Sequence, residues 1–197
     1  MSADLYSFAF RGLLAEEALD KAGRKRYSTE EEFFSENLAI KLHFDEIDPK
    51  YVEQSKTMLT VFATITAFEN ATREFVYTTL TGAYGTEWWN KGIQNGIREK
   101  AQSRKESETK VKWHVHRGDA MMSYLEFGDL PKIMCSQGNW LYFEPFFGFS
   151  NAQEWVKTTF DAIEKSRNVI MHSGVLDELD IIRVGMNIRD WLRQINA

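Results

Sequence analysis

The chain has 197 residues, a net charge of −5 at pH 7 and a pI near 5.5; 43% of its residues are hydrophobic, 27% charged and 14% aromatic. That is the size of one domain with room for a small appendage, and the composition excludes a disordered chain. The lone Cys135 excludes an internal disulfide and thiolate zinc patterns, and no apolar run approaches the roughly 20 residues of a membrane span. The first residues, Met1 to Tyr6, lack a basic stretch followed by an apolar one, so the expected home is the reducing cytoplasm, with no membrane partner. Any nucleic acid would have to be met by a local patch, since bulk charge repels it.

Residues 1–50 read as an extension of unknown role ahead of a domain over 51–197. Ser28 and Glu31 fit a capping box, so a short helix is expected there. Ile40, Leu42 and Phe44 alternate with polar residues, as do Val111, Trp113 and Val115, which predicts two short strands able to pair. Asp48 and Pro49 read as an N-cap and a first-turn proline. A long helix follows, with Met58, Phe62, Ile65, Glu69, Arg73, Val76 and Leu80 in phase, stopped by Gly82 and Gly85. A second helical stretch is expected from Thr86 to about Ser107, and a third from Met121 toward Gly128. Ser136 to Phe149 reads as a packed aromatic loop. Ser150 and Gln153 fit a capping box for a helix striped by Val156, Phe160, Ile163, Arg167 and Ile170, with Gly174 as its left-handed stop. Asp177 caps a last helix whose apolar side is expected from Leu179, Ile182, Met186 and Ile195. The fold class is all-α: a bundle of four to five main helices with an N-terminal extension carrying one or two short strands.

Charged residues interrupt two of these apolar stripes. Arg167 stands where Leu or Ile is expected, and His172 follows five residues later. Glu69 and Arg73 interrupt the long helix at ion-pair spacing. A guanidinium turned toward a core must be paired or face water, so one polar cavity between the two helices explains both anomalies. A purely structural account competes. Arg167 could pair with Glu69 and fix helix packing, and His172 could favour a helix C-terminus.

The run from Arg167 through Asn168 to His172 resembles the Arg-polar-x-x-x-His signature of the HEPN superfamily (higher eukaryotes and prokaryotes nucleotide-binding). Phe68 to Glu74 resembles the early helix of that family, with its Glu-x-x-x-Arg. Tyr84-Gly85-Thr86-Glu87-Trp88-Trp89 and Tyr124 to Leu130 resemble one branch of it, the HEPN domain attached to a eukaryotic transcript-surveillance endoribonuclease and found in many bacterial proteins. The resemblance covers about residues 55–196 and implies an all-α bundle with the signature on the helix before the last. It also implies a metal-independent endoribonuclease, acting as a homodimer in which the motifs of two copies face each other.

By that resemblance Arg167, Asn168 and His172 are the catalytic set, with Glu69 and Arg73 in support. An imidazole can take a proton from the ribose 2′-hydroxyl or give one to the leaving oxygen, and a guanidinium can hold the phosphate as charge grows. Transesterification would leave a 2′,3′-cyclic phosphate and a 5′-hydroxyl, and it requires RNA. Toxin and phage-defence roles, with an antitoxin or other regulatory partner, also follow from the resemblance. Some HEPN toxins carry a modifiable Tyr two residues after the motif His. Here Gly174 stands there, so that control is not expected. A non-catalytic module binding RNA, a nucleotide or a protein partner stays open, since inactive relatives exist.

Residues 91–117 hold eight Lys and Arg against three Glu, a candidate RNA-backbone surface with Arg98, Lys100, Arg104 and Lys105 at its centre. A solvated helix face explains the run equally well. His43, His114 and His116 lack acidic or thiol companions, so no metal and no cofactor is expected. Trp88, Trp89 and the aromatics from Trp140 to Phe149 are expected in the core or at a dimer contact.

Overall fold

The computed structural model describes residues 38–118 and 120–195, without the side chains of Glu53, Gln54 and Thr57. The helix start expected at Ser28 and Glu31 lies outside the described residues. The chain divides into two units, Met1–Val52 and Glu53–Ala197. Among the described residues every regular element is helical, and neither expected strand forms.

In the first unit, residues 38–41 make a helical turn and Phe44–Glu46 a 3-10 turn. Ile40, Leu42 and Phe44 are exposed, so their alternation reflects no sheet face. Asp48 accepts the backbone N–H of Lys50 at 3.0 Å and Pro49 opens helix α1 (Pro49–Tyr84). This is the N-cap and first-turn proline pairing that the sequence predicts.

The core of the second unit is built on α1. Its buried line is Met58, Val61, Ile65, Phe68, Thr72, Val76 and Leu80. The expected stripe was therefore out of register at its centre. Phe68 and Thr72 take the core positions, while Glu69 and Arg73 lie on the flank, one position round the helix. A flank position can carry charge at far lower desolvation cost than the core centre.

The second stretch splits into α2 (Trp88–Gly92) and α3 (Asn95–Thr109), because Ile93 and Gln94 are extended. Gly92 packs closely: a Cβ there would meet the Leu80 methyls at 3.1–3.2 Å, so that buried side chain would have to shift. The third stretch is a 3-10 turn, Met121–Tyr124, followed by α4 (Asp129–Met134). The aromatic loop contains α5 (Trp140–Phe143) and a 3-10 turn, Glu144–Phe146. Buried Asn139 ties these pieces together. Its amide donates to the carbonyls of Gly92 at 2.7 Å and Ile133 at 2.8 Å, and its oxygen accepts the Tyr84 hydroxyl at 3.0 Å.

Helices α6 (Ala152–Met171) and α7 (Glu178–Ile195) complete the bundle. The expected Ser150–Gln153 capping box is absent. Asn151 is the N-cap, with no side-chain cap bond, and Gln153 donates to the Cys135 carbonyl at 2.6 Å. Asp177 does cap α7, accepting the Asp180 N–H at 2.8 Å. On α7 the buried residues are Val184, Ile188 and Trp191, whereas Leu179, Ile182 and Met186 of the expected apolar side are about half exposed or more. Ile195, the fourth residue of that side, does pack against the core, so helix α7 has two apolar stripes and three of the four expected residues lie on the outward one.

Trp191 is the hub. It is fully buried, stacks on Trp155 at 6.0 Å and meets the edges of Phe160 at 4.9 Å and Phe75 at 6.1 Å. Offset and edge contacts of this kind add to the hydrophobic gain of burial. Phe147, from the aromatic loop, closes over it at 5.6 Å. Phe143 and Phe147 are therefore core, whereas Phe146 and Phe149 remain exposed at its edge.

The hydroxyl of Thr72 is fully buried without a hydrogen-bond partner. Removing an unpaired buried hydroxyl at constant shape removes its desolvation cost. Thr72→Val is expected to raise unfolding stability by about 1 kcal/mol in urea titration, while Thr72→Ala lowers it. A Thr72→Val protein less stable than the wild type would show that the hydroxyl is bonded.

Candidate functional site

Two charged positions on α1 and one on α6 converge. Arg73 donates to the Glu69 carboxylate one turn earlier. It also donates to the backbone carbonyls of Met122 at 2.6 Å and Leu125 at 2.8 Å. The opposite oxygen of Glu69 lies 3.7 Å from Nε of Arg167. The side chains of Glu69 and Arg73 are 14% and 16% exposed, and that of Arg167 is 31% exposed. The three differ in what they have left to give. Arg73 gives three N–H bonds to one carboxylate and two carbonyls and is largely buried. Arg167 keeps a single, longer ion pair and a third of its surface in water.

The Met122–Leu125 stretch, expected as part of a helix, is held from both sides. Arg104 donates to the Tyr124 carbonyl at 2.8 Å and pairs with Glu126 at 2.9 Å and Asp129 at 3.5 Å. Asp129 in turn accepts the Glu126 N–H at 2.9 Å. Gly128 lets Glu164 approach: a Cβ there would stand 2.8 Å from a Glu164 carboxylate oxygen. Phe127 packs on Phe68 at 6.1 Å and Phe160 at 5.3 Å. The Phe-Gly-Asp-Leu segment is therefore a structural clamp between α1, α3 and α6. Nothing in the residue pattern marked Glu164 or the accepting carbonyls.

The end of α6 sets the position of His172. The Gly174 N–H donates to the Val169 carbonyl at 2.8 Å, and the Ser173 N–H donates to the Ile170 carbonyl at 3.0 Å. This is the Schellman arrangement, with His172 as the last half-helical residue. The left-handed residue is Ser173, at φ 61°, and not Gly174 as the sequence suggested. Gly174 is needed for another reason. A Cβ on it would stand 2.6 Å from a Val169 methyl and 2.8 Å from the Val169 carbonyl oxygen.

His172 and Asn168 are exposed, so nothing walls in the imidazole. The helix does not loosen before its end: the His172 N–H still donates to the Asn168 carbonyl at 3.1 Å. Five residues on such a helix turn a side chain by roughly 140°. Arg167 and His172 of one copy therefore leave α6 on different faces. Alongside lies a groove of about 450 Å³ between α6 and α7, lined by Lys165, Ser166 and Val169 on one side and Asp180, Arg183 and Asn187 on the other.

The four basic residues expected at an RNA surface divide. Arg104 is committed to the clamp. Arg98 donates to Asn90 at 3.0 Å and to Asn95 at 3.0 Å. Lys105 lies over the Tyr124 ring, 5.8 Å from its centre. Lys100 is exposed. Among the described residues no group of three His, Cys, Asp or Glu side chains could hold a metal ion. Burial pushes the Cys135 thiol up to about 11, so it is protonated and unreactive near neutrality.

Arg167, Asn168 and His172 thus stand at the end of the helix before the last in a helical bundle. The chain belongs to the Swt1-like HEPN family, whose model matches residues 64–196. No curated protein and no solved structure matches it significantly. No helix among the described residues is long and apolar enough to cross a membrane.

A non-glycine residue in the left-handed region costs roughly 1 kcal/mol, part of which glycine returns through its own chain entropy. Ser173→Gly is expected to stabilise the protein by about 0.5 kcal/mol in denaturant titration. Gly174→Ala is expected to destabilise it by about 2 kcal/mol, because backbone must move. Equal effects of the two would contradict the assigned termination.

Proposed function

We propose that the protein is an endoribonuclease that cleaves RNA by attack of the 2′-hydroxyl on the adjacent phosphodiester, without a metal ion. The observation that carries this reading is the contrast within the charged cluster. Arg73 is spent on the fold, whereas Arg167, Asn168 and His172 stay open to water on the last turns of α6. Arg167 holds the phosphate and stabilises the charge that develops on it. His172 moves protons at the 2′-hydroxyl and at the 5′-oxygen that leaves. Asn168 orients the scissile phosphate. Glu69 keeps the Arg167 side chain extended without saturating it.

Because Arg167 and His172 diverge on one helix, a second copy supplies the complementary pair, and the site is completed across a two-fold axis. The exposed apolar stripe of Leu179, Ile182 and Met186 supports this, since a monomer gains nothing by displaying it. With two imidazoles present, one acts as base and the other as acid. An enzyme of this kind endangers the cell that makes it, so a toxin or phage-defence role under a regulatory partner belongs to the proposal.

The test is cleavage of single-stranded RNA by the purified chain in excess EDTA. The wild type is expected to leave 2′,3′-cyclic phosphate ends. His172→Ala and Arg167→Ala are each expected to lower the rate by about 10²-fold or more, with helicity and dimerisation unchanged. Cleavage retained by both variants would remove this site from the chemistry and leave a non-catalytic binding module.

A further inference from the structure

Residues 110–117, Lys-Val-Lys-Trp-His-Val-His-Arg, connect α3 to the Met121–Tyr124 turn and contain three cations and no carboxylate. The segment is an exposed loop and not the strand its alternation predicts, because Val111, Trp113 and Val115 have no sheet to join. Trp113 is 86% exposed and Val115 88%. The Trp113 ring meets the edge of His114 at 5.6 Å. Among the described residues neither Lys110 nor Lys112 has an ion pair or hydrogen-bonding side-chain partner.

The two ends of this loop are nonetheless pinned. Arg117 is paired with Glu108, through both its guanidinium and its backbone N–H. Next to it, the Gly118 carbonyl accepts the Tyr124 hydroxyl at 3.0 Å. Tyr124 lies in the stretch whose Met122 and Leu125 carbonyls receive Arg73, the partner of Glu69. A continuous chain of bonds thus joins the base of the loop to the cluster that contains Arg167.

An indole shown to solvent, directly after Lys112 and three residues after Lys110, has with these two unpaired ammonium groups a matching partner chemistry. A nucleobase offers a flat π face for stacking, and the phosphates on either side offer charge to the lysines. A single strand needs only a narrow cationic strip, which is all this chain of net charge −5 provides. An anionic bilayer would need a broad one. We propose that the 110–117 loop is an arm that grips single-stranded RNA for the Arg167–His172 site, with Trp113 stacked on a base and Lys110 and Lys112 on phosphates. This rests on the endoribonuclease reading for its substrate, but its test does not require cleavage.

The test uses the full chain and a fluorescein-labelled 15-nucleotide oligouridylate carrying 2′-O-methyl groups, which cannot be cut. Binding is followed by anisotropy. Trp113→Ala is expected to weaken it about fivefold or more, and Trp113→Phe to restore most of the loss. The double variant Lys110→Ala, Lys112→Ala is expected to reduce the slope of log affinity against log salt by about 1.4. Wild-type affinity in Trp113→Ala, or failure of the wild type to bind the oligonucleotide, would overturn the arm. So would uptake by anionic phosphatidylserine vesicles in place of RNA. Loss of binding in Trp113→Ala beside an absence of RNA cleavage by the wild type would keep the arm and discard the nuclease reading.

Discussion

Glu69 is the carboxylate on which the arrangement turns. One of its oxygens takes Arg73 and the other faces Arg167. Without it, two half-buried guanidiniums would confront each other across α1 and α6, a charge arrangement that costs several kcal/mol when left uncompensated. With it, Arg73 can clamp the Met122–Leu125 stretch while Arg167 is steadied and still exposed. The same group therefore serves the fold and the site, which is why the two cannot be separated by removing it.

The clamp extends this logic through the second unit. Arg73 and Arg104 approach the 122–125 stretch from α1 and α3, and both donate to its carbonyls. Backbone acceptors that would otherwise be stranded in a tight turn are satisfied, and irregular chain is made rigid without secondary structure. Two features lean on that stretch: the charged cluster, through Arg73, and the base of the 110–117 loop, through the Tyr124 hydroxyl.

The helices were legible where local chemistry speaks. Asp48 and Asp177 announce their helices because a carboxylate one residue before the first turn has few other uses. The all-α class followed from 3.6-residue spacing. Register was less legible. Thr72 reads as polar yet lies in the core, and α7 carries two apolar stripes between which spacing alone cannot choose. The false strand at 111–115 has the same origin, since alternation describes a side-chain pattern and not the partner a strand requires. The charged anomalies drew attention to Glu69, Arg73 and Arg167. Their division of labour depends on backbone carbonyls 49 and 52 residues away in the chain, which no side-chain pattern encodes.

Helix α6 carries the signature and also disperses it, sending Arg167 and His172 to different sides of its last turns. The central claim is that two copies together reassemble what one helix separates. Its most direct test is complementation. Arg167→Ala and His172→Ala chains, each inactive alone, are coexpressed with different tags and the mixed dimer is isolated. RNA cleavage is expected above that of either parent, because the mixed dimer holds one intact guanidinium and one intact imidazole at the shared site, and below that of the wild type, because a single imidazole must then serve as both base and acid. A mixed dimer no more active than its parents would contradict a site built from two copies.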